Sequence, residues 1–196
     1  MHNENPTLLT AFSIAVLMIL SACATEQPAV VQNLDELTAV TVTHARTPII
    51  MSPETPIENE TVRDYAQIGA IEINRMGSRR YFLWLGISEV HQRETADEQP
   101  QGYESITLLM DDQKHPLDLI GWTHNSIGTS ERVYQKLFRT SVDAYYEVDF
   151  AQIRSINDAE VIEFQTSGAE PKKFVSWYRQ SKAREDLAEF VGTVTQ

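Results

Sequence analysis

Sulfur is nearly absent from the reactive side chains of this 196-residue chain, which has one cysteine, at position 23. A single thiol excludes an intramolecular disulfide framework and a four-thiolate zinc site. Basic side chains are scarce as well, 16 against 28 acidic, giving a formal charge of −12. A phosphate backbone would be repelled by that average surface, which excludes broad nucleic-acid binding. Nor does the chain carry a phosphate-cradling glycine loop, a serine nucleophile elbow or a His-Glu-x-x-His pair, so no cofactor or metal is implied. What remains is ordinary globular composition, 42% hydrophobic and 22% charged, sufficient for one domain with its own core.

The most directed segment comes first. Leu8 to Leu20 reads LLTAFSIAVLMIL, with only Thr10 and Ser13 polar and no charge. A bilayer core needs about 20 helical residues, so this run is short for a permanent span and has the length of a signal-peptide apolar region. The segment before it, Met1 to Thr7, has no Lys or Arg. Small residues follow at once, and the sole cysteine closes them.

Leu20-Ser21-Ala22-Cys23 resembles the lipobox of bacterial lipoproteins at all four positions. The resemblance implies cleavage before Cys23, diacylglycerol on the Cys23 sulfur, and acylation of the new amino group. Two or three acyl chains hold a protein stably on its membrane, where one would be marginal. Ala24 stands where an aspartate usually retains relatives at the inner membrane, so the resemblance further implies an outer-membrane anchor with the domain facing the periplasm. This likeness covers only the first 25 or so residues, and no family is identified for the remainder.

Beyond a signal peptide at 1–22, residues 23–60 read as a lipid-anchored tether and connector. Pro28 lies in its small, polar first part, and Pro48, Pro53 and Pro56 interrupt its second. An edge strand is expected near 39–45, where Val40-Thr41-Val42-Thr43 is β-branched throughout. Residues 61–196 then read as a single β-rich domain. Tyr81 to Ile87 is apolar on both phases of a two-residue period, as in a central strand. Before it, Ala66 and Ile68 lie in one phase and Ile71 and Ile73 in the other, which predicts a bulge at Gly69-Ala70. Met76-Gly77-Ser78 predicts a hairpin turn pairing 65–74 with 79–88.

Ser105 to Met110 and Leu117 to Trp122 are expected as strands around a turn at Asp111 to Pro116. Val142, Ala144, Tyr146, Val148 and Phe150 alternate with Asp143, Tyr145, Glu147 and Asp149, which predicts one buried and one wet face. Asp149 with Gln152 forms a capping-box pattern, and Phe150, Ile153 and Ile156 repeat at helical spacing, predicting a short helix near 150–157. Residues 159–166 and 172–178 return to strand character. Ser181 can cap a C-terminal helix whose Leu187, Phe190 and Val191 form an apolar stripe. The expected fold is mainly β, an antiparallel β-sandwich or partly open barrel with these two helices.

Candidate chemistry is sparse. His115 and Asp118, with Asp111 and Asp112, place imidazole and carboxylates at one hairpin end. His124-Asn125-Ser126 and Ser130 supply base and nucleophile types without a selecting spacing. Arg75, Arg79 and Arg80 surround a predicted hairpin tip and are candidate contacts for lipid phosphate or an anionic glycan. Lys172 and Lys173 begin a second basic segment with Arg179, Lys182 and Arg184, beside Trp177 and Tyr178, a candidate envelope contact. Tyr145, in the wet phase with Asp143 and Glu147, resembles the aromatic-and-carboxylate surfaces that hold sugars. The sequence favours a non-catalytic lipoprotein that binds or braces an envelope component: a protein, peptidoglycan or lipopolysaccharide. The rivals are an envelope-polymer hydrolase using His115, Asp111, Asp112 or His124, and a regulatory accessory whose long loop at 89–102 moves.

Overall fold

A computed structural model describes residues 27–54, 64–88, 99–177 and 180–195. The strands are β1 (Val30–Asp35), β2 (Val40–Ala45), β3 (Ile49–Pro53), β4 (Tyr65–Arg75), β5 (Ser78–Ser88), β6 (Ser105–Met110), β7 (Gln113–Gly121), β8 (Val142–Val148), β9 (Ile162–Thr166) and β10 (Lys173–Ser176). Two helices, α1 (Phe150–Asp158) and α2 (Ser181–Val194), accompany them, with a 3-10 turn at His124–Ile127. Every strand pairing is antiparallel. In the order β3-β4-β5-β8-β7-β6-β9-β10 and back to β3, the sheet closes into an 8-strand barrel. One continuous wall thus replaces the two stacked layers of a sandwich.

The N-terminal strands show how a closed wall acquires a projecting ribbon. β2 and β3 run in succession along the same edge of β4, with His44 opposite Ile71 and Ile49 opposite Ile68. Between them Pro48 has no N–H to give to a ladder, and the chain kinks there. Before the kink the far edge of β2 is taken by β1; after it the far edge of β3 is taken by β10. The kink is fastened from α2: the Thr47 N–H donates to Asp186 Oδ2 at 3.1 Å, and the buried Asp186 pairs with Lys182 at 3.0 Å. Gln180 acts as an extra strand residue, accepting from Ile50 N–H and donating to Ile50 C=O. The segment expected as tether and connector therefore contributes three strands to the fold. β2, expected at an edge, has neighbours on both sides.

Two turn expectations meet different outcomes. Met76 and Gly77 have φ of 51° and 91°, a two-residue hairpin turn between Arg75 and Ser78 as expected. At Asp111 and Asp112 φ is 48° and 67°, so the second hairpin also turns on two residues, and His115 and Pro116 belong to β7. Aspartate enters the left-handed region at low cost, and Asp111 is held there because its carboxylate accepts from the N–H groups of Glu160 and Val161. The bulge predicted at Gly69-Ala70 is absent. β4 pairs with β5 in unbroken register from Tyr65–Ser88 to Arg75–Ser78. The change of apolar phase marks two covered faces of one regular strand.

The inner face is a filled core. Leu83, Leu85, Tyr146, Phe164 and Phe174 are fully buried there, and α1 and α2 add Ile153, Ile156, Leu187 and Phe190. Phe164 and Phe174 are direct cross-strand partners with rings stacked at 4.6 Å. A cavity beneath α2, between Thr47, Leu83 and Leu187, has only about 10 Å³. The helices fit as the sequence indicates: Asp149 and Gln152 close a reciprocal capping box at the start of α1. At its other end Arg184 donates to the carbonyls of Ile156, Ala159 and Glu160. α2 differs in one detail, since Gln180 is its N-cap residue and Ser181 its first helical one.

The outer face of β2, β4, β5 and β8 is also apolar, with Val40, Val42, Ile71, Ile73, Phe82, Trp84 and Tyr145 buried together. Among the described residues no α-helix or strand covers it. The segment 122–141 lies across it as an irregular strap, inserting Ile127, Val133 and Tyr134. Tyr134 stacks on Trp84 at 4.8 Å and donates to the Ala70 carbonyl at 2.9 Å. Gly69 makes this approach possible, because a Cβ there would stand 2.3 Å from the Tyr134 ring.

Candidate binding groove

The strap is fixed at its two sides by carboxylates. Asp143 of β8, 3% exposed, accepts from Trp84 Nε1 and Arg132 Nε, both at 3.1 Å, and lies 3.6 Å from Lys136 Nζ. At the far side Asp35, the last residue of β1, accepts from Ser130 N–H at 2.6 Å and Ser130 Oγ at 2.7 Å. These donors, with Thr38, hold the Asp35 carboxyl well below the usual carboxylate range.

Where the strap reaches the β1–β2 ribbon it stops short of covering it, leaving an open groove of about 450 Å³. Val42 and His44 form the floor, Asn33 to Leu37 one wall, and Thr129 to Val133 the other. Burial lowers the His44 pKa, so the ring is neutral at neutral pH. Its Nδ1 lies 2.8 Å from the Ala45 carbonyl and must carry the proton, which leaves Nε2 as an acceptor. With Asp35, Glu36 and Glu131 the groove is rich in acceptors. Among the described residues that line it the one cation is Arg132, whose Nε donates to Asp143.

The residues singled out by type fall elsewhere. Arg80 makes a bidentate pair with Glu147 at 2.8 and 2.9 Å. Arg79 lies 3.2 Å from Glu72 and donates to the Val194 carbonyl. Lys172 pairs with Asp64, and Lys173 with both Glu54 and Glu163. Lys182 and Arg184 are engaged at Asp186 and the end of α1. Of the expected basic contacts, Arg75 and Arg184 make no ion pair among the described residues, and Arg184 is held by backbone carbonyls instead. Cys23, Tyr178, Arg179 and the 89–98 part of the long loop lie outside the described residues. Trp177 is partly exposed and stacks in parallel on Tyr65 at 5.9 Å.

The catalytic candidates do not assemble. His115 sits in β7 opposite Leu108, His124 in the 3-10 turn, and neither lines the groove. Asp111 is bound to the backbone ahead of β9, Asp112 and Asp118 are exposed, and Ser130 serves Asp35 rather than His124. Ser126 packs against Gly121, where a Cβ would meet its Oγ at 1.9 Å. The wet face expected on β8 holds at Glu147 and Asp149 and is a correction at the other two: Tyr145 is fully buried and Asp143 nearly so, because the strap covers them. A buried Tyr145 offers no ring face to a sugar.

The groove was not legible because its walls come from segments 95 positions apart, joined at Asp35 and Ser130. The usable signal was the alternation of Val40 and Val42 in β2, whose phase puts His44 on the same face. Among the described residues no three His, Cys, Asp or Glu side chains converge as a metal site, and no helix is long and apolar enough to cross a membrane. No family model, curated protein or solved structure matches this chain.

Proposed function

We propose that this protein is a lipid-anchored lipoprotein of the bacterial cell envelope, held through Cys23 at the outer membrane, with a non-catalytic barrel that binds or braces a periplasmic partner. The observation that carries the reading is the placement of the open groove outside the barrel, between the β1–β2 ribbon and the strap, while the barrel interior is filled. A packed interior leaves recognition to the surface. The scattering of His115, His124 and Asp111 weighs against the envelope-polymer hydrolase. The internal pairing of Arg79, Arg80, Lys172 and Lys173 weighs against a broad anion-binding face.

Anchor and groove also have a useful relation. The chain enters the sheet where the Ala29 carbonyl accepts from the Arg46 N–H, beside the kink. β1 then runs away from that point to the turn at the groove, a reach of roughly 15–20 Å at about 3.3 Å per residue. A lipid on Cys23, four residues before Gln27, would hold the kink end near the bilayer and present the groove away from it.

The test is Cys23→Ala in cells, with intact mass of the wild-type protein. Diacylglycerol and acyl mass on residue 23, together with release of the variant from membranes or its retention as a precursor, is the expected result. An unmodified Cys23 and unchanged fractionation would overturn the anchor. Photocrosslinking from Leu37 and from Glu160 compares the groove with a remote face; crosslinks confined to the remote face would remove the groove from the reading.

A further inference from the structure

We propose that the free edge of β1, with the groove beside it, is a strand-addition site for an extended peptide segment of a partner protein in which basic and apolar residues alternate. This rests on the binding reading above and specifies the partner of the same groove.

The edge itself is the first ground. Among the described residues β1 has a neighbour on one side only, and its remaining backbone donors and acceptors form a ready template for another strand. The first half of β7 is similarly half-paired, since its contact with β8 begins at Leu119. That edge carries Lys114 and Pro116, the residues by which exposed edges resist unwanted pairing. β1, Val-Val-Gln-Asn-Leu-Asp, has no lysine, proline or bulge along its length. The two edges are treated oppositely, and the unprotected one borders the groove.

Facing and charge give the partner's chemistry. Direct cross-strand neighbours share a face, so Asn33, opposite Val42, and Asp35, opposite Val40, lie on the groove side. Gln32 and Leu34 lie on the other. A strand added to β1 alternates in the same way. One set of its side chains meets Asp35, Glu36 and Glu131, an acceptor-rich surface whose cation is already committed, and lysine or arginine suits it. The other set passes Leu34, 66% exposed and on the opposite face by register, while Leu37, 86% exposed, adds apolar surface at the turn end of the groove, and apolar side chains suit both. Backbone hydrogen bonds supply affinity and the two faces supply selectivity.

The test uses the purified full-length protein in detergent and a fluorescein-labelled peptide, acetyl-(Lys-Val)5-amide, followed by anisotropy at physiological ionic strength. Saturable binding is expected, weakened at least tenfold by N-methylation of alternate peptide amides and absent for the (Glu-Val)5 analogue. The exposed pair Glu36→Lys with Glu131→Lys should weaken it at least tenfold. The remote exposed pair Asp158→Lys with Glu160→Lys should not, which separates the groove from general attraction to an acidic chain. Equal binding of the N-methylated peptide, equal effects of the two charge reversals, or no saturable binding would overturn the proposal. Displacement of the probe by soluble peptidoglycan fragments would reassign the groove to a glycan and overturn it too. Lipid mass on Cys23 is read separately, so loss of the anchor and loss of strand addition are distinguishable.

Discussion

Inside the barrel, burial is achieved by regular elements, with strands meeting strands and α1 and α2 closing the inner face through Ile153, Leu187 and Phe190. On the outer wall, the same β4, β5 and β8 bury Ile71, Trp84 and Tyr145 under a strap whose one short regular piece is the 3-10 turn His124–Ile127. The strap's own backbone ladder is minimal, so its position depends on side chains: Asp143 with Arg132 and Lys136, Asp35 with Ser130, and Tyr134 with Ala70. The inner face is therefore expected to open only when the whole domain unfolds. The outer face is expected to open as a separate unit of lower stability.

The largest effect should come from the inside. Phe164→Ala removes a fully buried ring that stacks on Phe174 and lies near Tyr103. Truncations of this kind cost about 3–5 kcal/mol through lost transfer energy and the cavity left behind. The urea midpoint should fall for every probe together, with the strap and the core losing amide protection in parallel. A variant whose strap melts alone would contradict the assignment of Phe164 to the global core.

Asp143→Ala should instead act on one face. It removes the acceptor for Trp84 Nε1 and the anchor for Arg132, hydrogen bonds to a charged group worth about 2 kcal/mol. Arg132 is 57% exposed and returns to water when released, which keeps the cost below that of the ring. Hydrogen exchange should accelerate across residues 123–141 while β6, β9 and β10 keep their protection. Uniform loss of protection would show that the two faces are one cooperative unit.

This division also explains how much of the fold could be read from the chain. β5 was legible because both of its phases are apolar, and α1 because the Asp149–Gln152 box is local. The hairpin at Met76-Gly77 was legible for the same reason: its geometry is decided within four residues. β4 carried the right information in its phase change, but one strand covered on both sides and a bulged strand covered on one side produce the same pattern. Tyr145 shows the limit most plainly. Its alternation with Ala144 and Tyr146 places it outside the barrel, and nothing near it states that a segment beginning after Trp122 will return to cover it. The groove needs a further coincidence, Asp35 with Ser130, joined by tertiary contact alone. The partners of the basic candidates were hidden for a related reason, since Arg80 and Lys173 look free in sequence and meet Glu147, Glu54 and Glu163 only across the sheet.

The smallest effect is expected at the strap's far attachment, and pH gives it a signature. The donors from Ser130 and Thr38 hold Asp35 well below its ordinary pKa of 3.8, so the folded carboxylate binds a proton less readily than the unfolded one. Its contribution is therefore present above the ordinary carboxylate range and is lost as pH falls toward the depressed folded value. Glu72, buried on the inner side of β4, has the opposite sign: its pKa is raised by desolvation against the opposing pull of Arg79, so stability is lost as pH rises through the folded value. Ser130→Ala removes one of the two Ser130 donors and leaves the backbone N–H. Exchange of the Thr129 to Val133 amides should quicken roughly five-fold at pH 6, the scale of one net hydrogen bond, with a smaller change at pH 2.5. Glu72→Gln should alter the pH dependence of global unfolding and leave that strap exchange unchanged. If Glu72→Gln also moved the strap, the inner and outer faces would share a proton-linked step, and the separation drawn between them would fail.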